Sequence, residues 1–156
     1  RLNICDEKNL RIQDIYAVVD QMDPLDGAID FLHWLRTECE VIILSDTFRE
    51  FVRPLLNKLG QPTIFCHNLK IDPSGRLIDY LLRQQDQKRQ AVNALKDLNF
   101  QVLAAGDSYN DISMLQSAHH GIFFRPTQKI TDEFPSFPVT YQYSELKLEL
   151  QNYLHG

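Results

Sequence analysis

Apolar positions along the chain change from helical to strand-like spacing near residue 41. Between 11 and 22, and again from about 25 to 37, they recur at the spacing of one helix face, which predicts two amphipathic helices. Val41-Ile42-Ile43-Leu44 is instead a continuous apolar run, typical of a strand buried on both faces of a parallel sheet. The predicted sheet therefore begins after two leading helices.

Strands and helices alternate through the rest of the chain, which predicts an α/β fold with a doubly wound parallel sheet. We expect the runs at 41–44 and 102–105 to form adjacent strands. The predicted strands are 41–44, 63–66, 101–105, 121–124 and 139–141, with a hairpin over 69–82 that turns at 72–75. Helices are predicted at 88–98, 126–134 and 144–154. A further helix carries Phe51, Leu55, Leu56 and Leu59 before a stop at Gly60, and another carries Ile112, Met114 and Leu115.

Charge and composition narrow the classes of function. The net charge is −5 over 156 residues, and no dense basic stretch is present, so nucleic acid is not an expected partner. No apolar run reaches the ~18 residues that a membrane span requires. The cysteines Cys5, Cys39 and Cys66 lack metal-site spacing, so we expect buried, reduced thiols and a cytoplasmic location.

Polar residues follow the first predicted strand. Ser45, Asp46 and Thr47 lie between that strand and a helix. A hydroxyl at a strand tip beside a helix N-terminus suits a phosphoryl oxygen, because free backbone N–H groups and the helix dipole favour an anion. Simple capping of the helix is the alternative.

A second polar cluster, Gly106-Asp107-Ser108-Tyr109-Asn110-Asp111, follows the strand at 101–105. Asp107 stands at the strand tip and Asp111 one helical turn later, a spacing that suits a hard ion such as Mg²⁺. The alternative to a metal site is structural: Asp107 would belong to a turn, and Asp111 would stabilise the start of a helix through the helix dipole.

Lys88 lies in the first turn of a predicted helix, beside a second cation, Arg89. Two cations there oppose the helix dipole, so helix stability does not explain them. Lys88 could neutralise a bound phosphate, and a solvated lysine is the alternative.

Taken together, the chain resembles the haloacid dehalogenase superfamily and, within it, the phosphoserine phosphatases. The closest resemblance is to the branch that also transfers phosphate from phosphoserine to homoserine. The segments that carry the resemblance are 43–48, Glu50-Phe51, Cys66-His67, Arg83-Gln84, 88–90, 104–111 and Glu133-Phe134-Pro135.

The resemblance implies a site with Mg²⁺ as cofactor and phosphoserine as substrate. It makes Ser45 and Lys88 catalytic and phosphate-binding, Asp46 and Asn110 substrate-binding, and Asp107 and Asp111 metal ligands. Arg1 corresponds to an arginine of the helical cap that grips the substrate carboxylate. The resemblance also implies that 1–24 is a remnant of that cap and 25–156 the α/β core. Homoserine or water would accept the phosphoryl group, and homo-oligomer formation is left open.

The family's nucleophile has no counterpart in these residues. That nucleophile is an aspartate on the first strand, followed two positions later by another acid, whereas Asp6 is followed by Lys8. Asp23 and Asp26 flank Pro24 and read as a turn. We therefore expect an upstream segment that carries the nucleophile strand, and no phosphatase activity from this polypeptide alone.

Two alternatives to the enzyme remain at this stage. The first is a non-catalytic module that binds Mg²⁺ and phosphate. The second is a receiver-like signalling domain, which also combines acids, a hydroxyl and a lysine on a parallel sheet but lacks a leading helix pair.

Overall fold

The computed structural model describes residues 8 and 10–156. The chain divides into two compact units, the first ending at Gln85 and the second beginning at Asp86. The assignment of 1–24 to a cap remnant and 25–156 to a core remains a prediction. Arg1 and Cys5 lie outside the described residues.

The first unit contains a mixed three-stranded sheet in the order β1-β2-β3, with β1 parallel to β2 and β2 antiparallel to β3. Its core is formed by Leu56, Ile64 and Cys66, with Ile43 and Val52 packed against them. The elements are α1 (Ile12–Val19), α2 (Ala28–Glu38), β1 (Ile42–Phe48), α3 (Arg49–Lys58), β2 (Thr63–Ile71) and β3 (Leu77–Leu81).

The hairpin between β2 and β3 turns at the predicted residues. Asp72 Oδ1 accepts hydrogen bonds from the backbone N–H of Ser74 at 2.8 Å and of Arg76 at 3.0 Å, and from Ser74 Oγ at 2.6 Å. The hydrogen bond from the Ser74 hydroxyl is the main reason that the pKa of Asp72 lies below its usual value. The aspartate thus ties the turn together, as its position in the sequence predicted.

The second unit contains a parallel sheet in the order β4-β5-β6. Ile122 and Phe123 of β5 are fully buried, and Val92 and Leu115 from neighbouring helices are almost as inaccessible. The elements are α4 (Gln87–Asp97), β4 (Leu103–Gly106), a 3₁₀ turn (Tyr109–Asp111), α5 (Ile112–Ser117), β5 (His120–Phe124), α6 (Gln128–Glu133), β6 (Val139–Thr140) and α7 (Tyr143–His155).

The α/β fold class with parallel strand pairing is confirmed, but two expectations are wrong. β1 and β4 are not paired neighbours, because β1 pairs with β2 and β4 with β5 in separate sheets. Each of those pairs is joined by one helix, and consecutive parallel strands tend to pair directly. Cys66 is buried and Cys39 is exposed, although both are free thiols. Across the described part of the chain, no helix is long and apolar enough to cross a membrane.

Candidate functional site

Ser45, Asp46 and Thr47 lie in a bulge of β1. Leu44 pairs with Phe65 and Phe48 with His67, so the three residues stand opposite the single residue Cys66. The backbone N–H of Thr47 donates to Ser45 Oγ at 3.3 Å. Helix α3 begins only at Arg49, and no side chain caps it. The capping alternative is therefore wrong, and the bulge releases these residues from the regular ladder.

His67 lies beside Asp46 in the first unit. Its Nε2 is 3.9 Å from Asp46 Oδ1, and its Nδ1 accepts a hydrogen bond from the backbone N–H of Arg83 at 3.0 Å. Because Nδ1 accepts, the neutral ring carries its proton on Nε2, the nitrogen that faces the carboxylate. His67 is buried, whereas Asp46 is exposed. In the sequence, His67 is part of the resemblance but has no assigned role. Its short distance from Asp46 follows from the pairing of β1 with β2.

Lys88 and Asp111 form a buried ion pair in the second unit. Lys88 Nζ lies 2.7 Å from Asp111 Oδ1, and the two side chains are 11% and 7% exposed. The sequence predicted that both residues belong to the site but assigned them separate tasks. The structure brings them into direct contact, so the solvated-lysine alternative is wrong.

The other oxygen of Asp111 organises the loop after β4. Asp111 Oδ2 accepts from the backbone N–H of Asp107 and of Ser108 at 3.1 Å each, and from Ser108 Oγ at 3.0 Å. A Cβ atom added to Gly106 would lie 2.5 Å from Asp111 Cβ. Gly106 is therefore required for the close approach of backbone and carboxylate.

The charge state of Asp111 follows from these contacts. Burial alone raises the pKa of Asp111, but the hydrogen bond and positive charge of Lys88, together with the hydrogen bonds from Ser108, lower it further than burial raises it. The net result is a pKa below the usual aspartate value. Asp111 is therefore ionised at neutral pH.

Asp86 accounts for the second cation at the start of α4. Its carboxylate forms an ion pair with Arg89 and accepts a hydrogen bond from Ser113 Oγ at 2.8 Å. Each cation in the first turn thus has an acidic partner, which offsets the unfavourable helix dipole. Asp86 also links the start of α4 to α5, so it helps to position Lys88.

Asp107 and Asn110 belong to the segment that follows β4, and both are exposed. Among the described residues, the Asp107 carboxylate makes no hydrogen bond or ion pair. No group of three His, Cys, Asp or Glu side chains in that part of the chain could hold a metal ion by itself. Mg²⁺ often takes one or two protein carboxylates and completes its shell with water and phosphate oxygens. The free carboxylate of Asp107 fits such a site, whereas both oxygens of Asp111 already have partners.

Tyr109 is a neighbour of this loop that the sequence analysis did not single out. Its hydroxyl donates to Glu133 Oε2 at 2.7 Å, and its ring packs edge-on against Phe134 with centroids 6.5 Å apart. The hydrogen bond with Glu133 is the main cause of a raised pKa for Tyr109. The contact joins the loop after β4 to α6, and only tertiary structure reveals it.

Comparisons with known proteins agree with this architecture. Residues 3–119 match the haloacid dehalogenase-like hydrolases. The chain is 51% identical over 149 residues to phosphoserine phosphatase ThrH of Pseudomonas aeruginosa, an alignment that covers 96% of this chain and 73% of the relative. It is 49% identical over 149 residues to a phosphoserine phosphatase of Pseudomonas syringae pv. tomato, covering 96% of this chain and 63% of that protein.

A solved structure described as a phospho-aspartyl intermediate analogue of phosphoserine phosphatase superposes with a TM-score of 0.73 at 23% identity. The superposition covers 90% of this chain and 70% of that one, and it bears on the fold alone. The chain belongs to the haloacid dehalogenase-like hydrolase family. This membership contradicts the receiver-like alternative.

Proposed function

We propose that this chain forms part of a Mg²⁺-dependent phosphoserine phosphatase that transfers the phosphoryl group through a phosphoaspartate. The observation that carries the proposal is the buried ion pair of Lys88 with Asp111, 2.7 Å long and attached to the loop after β4. The high identity to two phosphoserine phosphatases supports the choice of substrate. Water is one acceptor in this proposal, and homoserine is the other.

Lys88 would neutralise the charge on the phosphoryl oxygens. Phosphoryl transfer depends mainly on positioning and electrostatic stabilisation, so a cation held in a fixed place lowers the barrier. Asp111 would hold that cation in place as a positioning residue, because it contacts both Lys88 and the loop backbone. A lysine without this partner would lose several kcal/mol of compensation for its burial, on the order of 3–5 kcal/mol.

Asp107 would ligate Mg²⁺, and Asp111 as a second ligand remains a prediction. When bound, Mg²⁺ would supply positive charge to the phosphate oxygens. Asn110 would contact the ion or the substrate. Arg1 as a ligand of the substrate carboxylate, the cytoplasmic location and homo-oligomer formation also remain predictions.

Ser45 and Asp46 would bind the substrate from the bulge of β1. The Ser45 hydroxyl is suited to a phosphoryl oxygen because a hydroxyl can both donate and accept a hydrogen bond. His67, with its Nε2 directed to Asp46, would orient that carboxylate. The attacking carboxylate is a separate requirement, since the 156-residue sequence contains no Asp-x-Asp or Asp-x-Glu pair.

The test is a phosphate-release assay with phosphoserine and Mg²⁺ on the chain preceded by a strand that ends in Asp-x-Asp. We expect Lys88→Ala to lower kcat by ~10²–10³, as removal of one preorganised charge does elsewhere. Lys96→Ala is the matched control, because Lys96 lies on the same helix and donates to the Ser117 carbonyl oxygen. Retention of kcat within a factor of about two in Lys88→Ala would refute the assignment.

The same assay separates the acceptors and the remaining alternative. Added homoserine should yield phosphohomoserine if homoserine accepts the phosphoryl group, and only inorganic phosphate if water alone does. Mg²⁺-dependent binding of phosphoserine without any turnover in the extended protein would favour the non-catalytic module.

A further inference from the structure

A cavity of about 300 Å³ lies in the first unit, lined by Arg49, Ile64, Cys66, Asn68 and Arg83. The volume lies at the lower end of the range for small-molecule sites, roughly 300–1,000 Å³. Its apolar wall belongs to β2 and its cations come from the first residue of α3 and the segment after β3. The cavity is built entirely within one unit.

The two arginines give this cavity a positive charge. Among the described residues, neither guanidinium forms an ion pair with a carboxylate. The guanidinium of Arg83 lies 4.0 Å from the centre of the Phe65 ring, and its backbone N–H is fixed by His67. Stacking on an aromatic ring holds the planar group but leaves its N–H donors available.

Glu50, the acid nearest along the chain to Arg49, is engaged elsewhere. Its Oε2 accepts a hydrogen bond from the backbone N–H of Leu69 at 2.9 Å. The carboxylate thus anchors α3 to β2 instead of neutralising Arg49. Glu50 keeps its own negative charge, but its carboxylate does not form an ion pair with Arg49.

Cys66 lines the same cavity as both arginines. Burial raises the pKa of the Cys66 thiol, while the charges of Arg49 and Arg83 both lower it, and Glu50 raises it. These directions agree with the place of both arginines in the lining of the cavity. Asn68 is the next residue of the same face of β2 and adds amide donors.

We propose that this cavity is a binding site for a small oxyanion, held by Arg49 and Arg83 with help from Asn68. Planar guanidinium groups bind phosphate and carboxylate oxygens in a bidentate manner, so both kinds of anion fit the same chemistry. The cavity lining contains neither His67 nor any of the residues proposed to bind phosphoserine, such as Ser45, Asp46 and Lys88. The proposed site is thus distinct from the residues proposed to bind phosphoserine.

Isothermal titration of the chain with inorganic phosphate and with succinate, in buffer containing a metal chelator, tests this proposal. We expect Arg49→Gln and Arg83→Gln each to weaken binding about tenfold or more, the loss that one charge-assisted hydrogen bond produces. Arg53→Gln is the matched control, because Arg53 is an exposed arginine on the same helix and does not line the cavity. Preference for phosphate or for succinate identifies the class of anion.

Alkylation of the cysteines, followed by residue-resolved mass spectrometry, gives a local readout. Bound anion should slow the modification of Cys66 and leave the exposed Cys39 unchanged, and Arg49→Gln should abolish the protection. The exposed Arg53→Gln variant should keep this protection. Absence of anion binding, or binding and Cys66 protection that both Arg49→Gln and Arg83→Gln leave intact, would overturn the proposal. Neither Arg49 nor Arg83 is among the residues proposed to bind phosphoserine, so failure here is distinguishable from failure of the proposed phosphatase activity.

Discussion

A double-mutant cycle on Lys88 and Asp111 is the sharpest test of the second unit's design. Asp111→Asn leaves one oxygen to face either Lys88 or the three donors of the loop, which all bond to Oδ2 in the native protein. If that oxygen keeps the loop, the new amide turns its N–H groups toward a buried ammonium. Removing one partner of a buried pair costs ~3–5 kcal/mol, so we expect a loss of this size.

Lys88→Met should cost less than Asp111→Asn, because the carboxylate keeps its loop donors. The two losses should not add in the double variant, since each single change already breaks the same contact. We expect a coupling energy of at least ~2 kcal/mol, measured by urea denaturation with circular dichroism. Added salt should change it little, because the two side chains are only 11% and 7% exposed. Asp97→Asn, at an exposed position on the same helix, should change stability by less than ~0.5 kcal/mol.

The pH dependence of this coupling has a defined sign. Since the folded-state pKa of Asp111 is lowered, its contribution to stability is fully present above the unfolded-state pKa, near 3.9 for an aspartate. It is lost as the pH falls below that value through the folded-state pKa. Additivity of the two variants within ~0.5 kcal/mol at neutral pH would refute the argument.

Three further outcomes follow from the site. Gly106→Ala should destabilise the protein by ~1–3 kcal/mol through overpacking against Asp111, and an unchanged urea midpoint would contradict the close approach. Asp107→Asn, in the protein extended by an Asp-x-Asp strand, should raise the Mg²⁺ concentration for half-maximal rate, and the metal titration must remain unchanged for a control such as Asp132→Asn. Residues 1–156 alone should release no phosphate from phosphoserine above background, with the Pseudomonas aeruginosa enzyme as positive control, and comparable turnover by the two would overturn the missing-nucleophile hypothesis.

Much of the local structure follows from the sequence because it depends on short-range patterns. The turn at 72–75 is specified by Asp72 and its neighbours, and the helix over 87–97 by its apolar spacing. The loop after β4 was predicted because Gly106 permits a sharp turn of the backbone at the end of a strand. These features require no knowledge of distant partners.

The features that the sequence left open depend on tertiary contacts. Nothing local shows that Lys88 meets Asp111, since the two residues are 23 positions apart. The bulge at Ser45 was also hidden, because a continuous polar segment after a strand looks the same whether it caps a helix or extends the strand. The adjacency of the strands at 41–44 and 102–105 was predicted wrongly, because a hydrophobic run indicates that a strand is buried but not which strand it pairs with.

The bulge in β1 contains an even number of extra residues, and this number decides which face the following side chains occupy. It places three residues opposite Cys66, two more than a regular ladder would, and side chains of a strand alternate with a period of two. An even number of extra residues returns Phe48 to the face of His67, where their rings lie 6.0 Å apart. Removing two residues from this segment would preserve that contact, whereas removing one would turn Phe48 to the opposite face. The length of this segment can therefore change in steps of two without disturbing the strand beyond it.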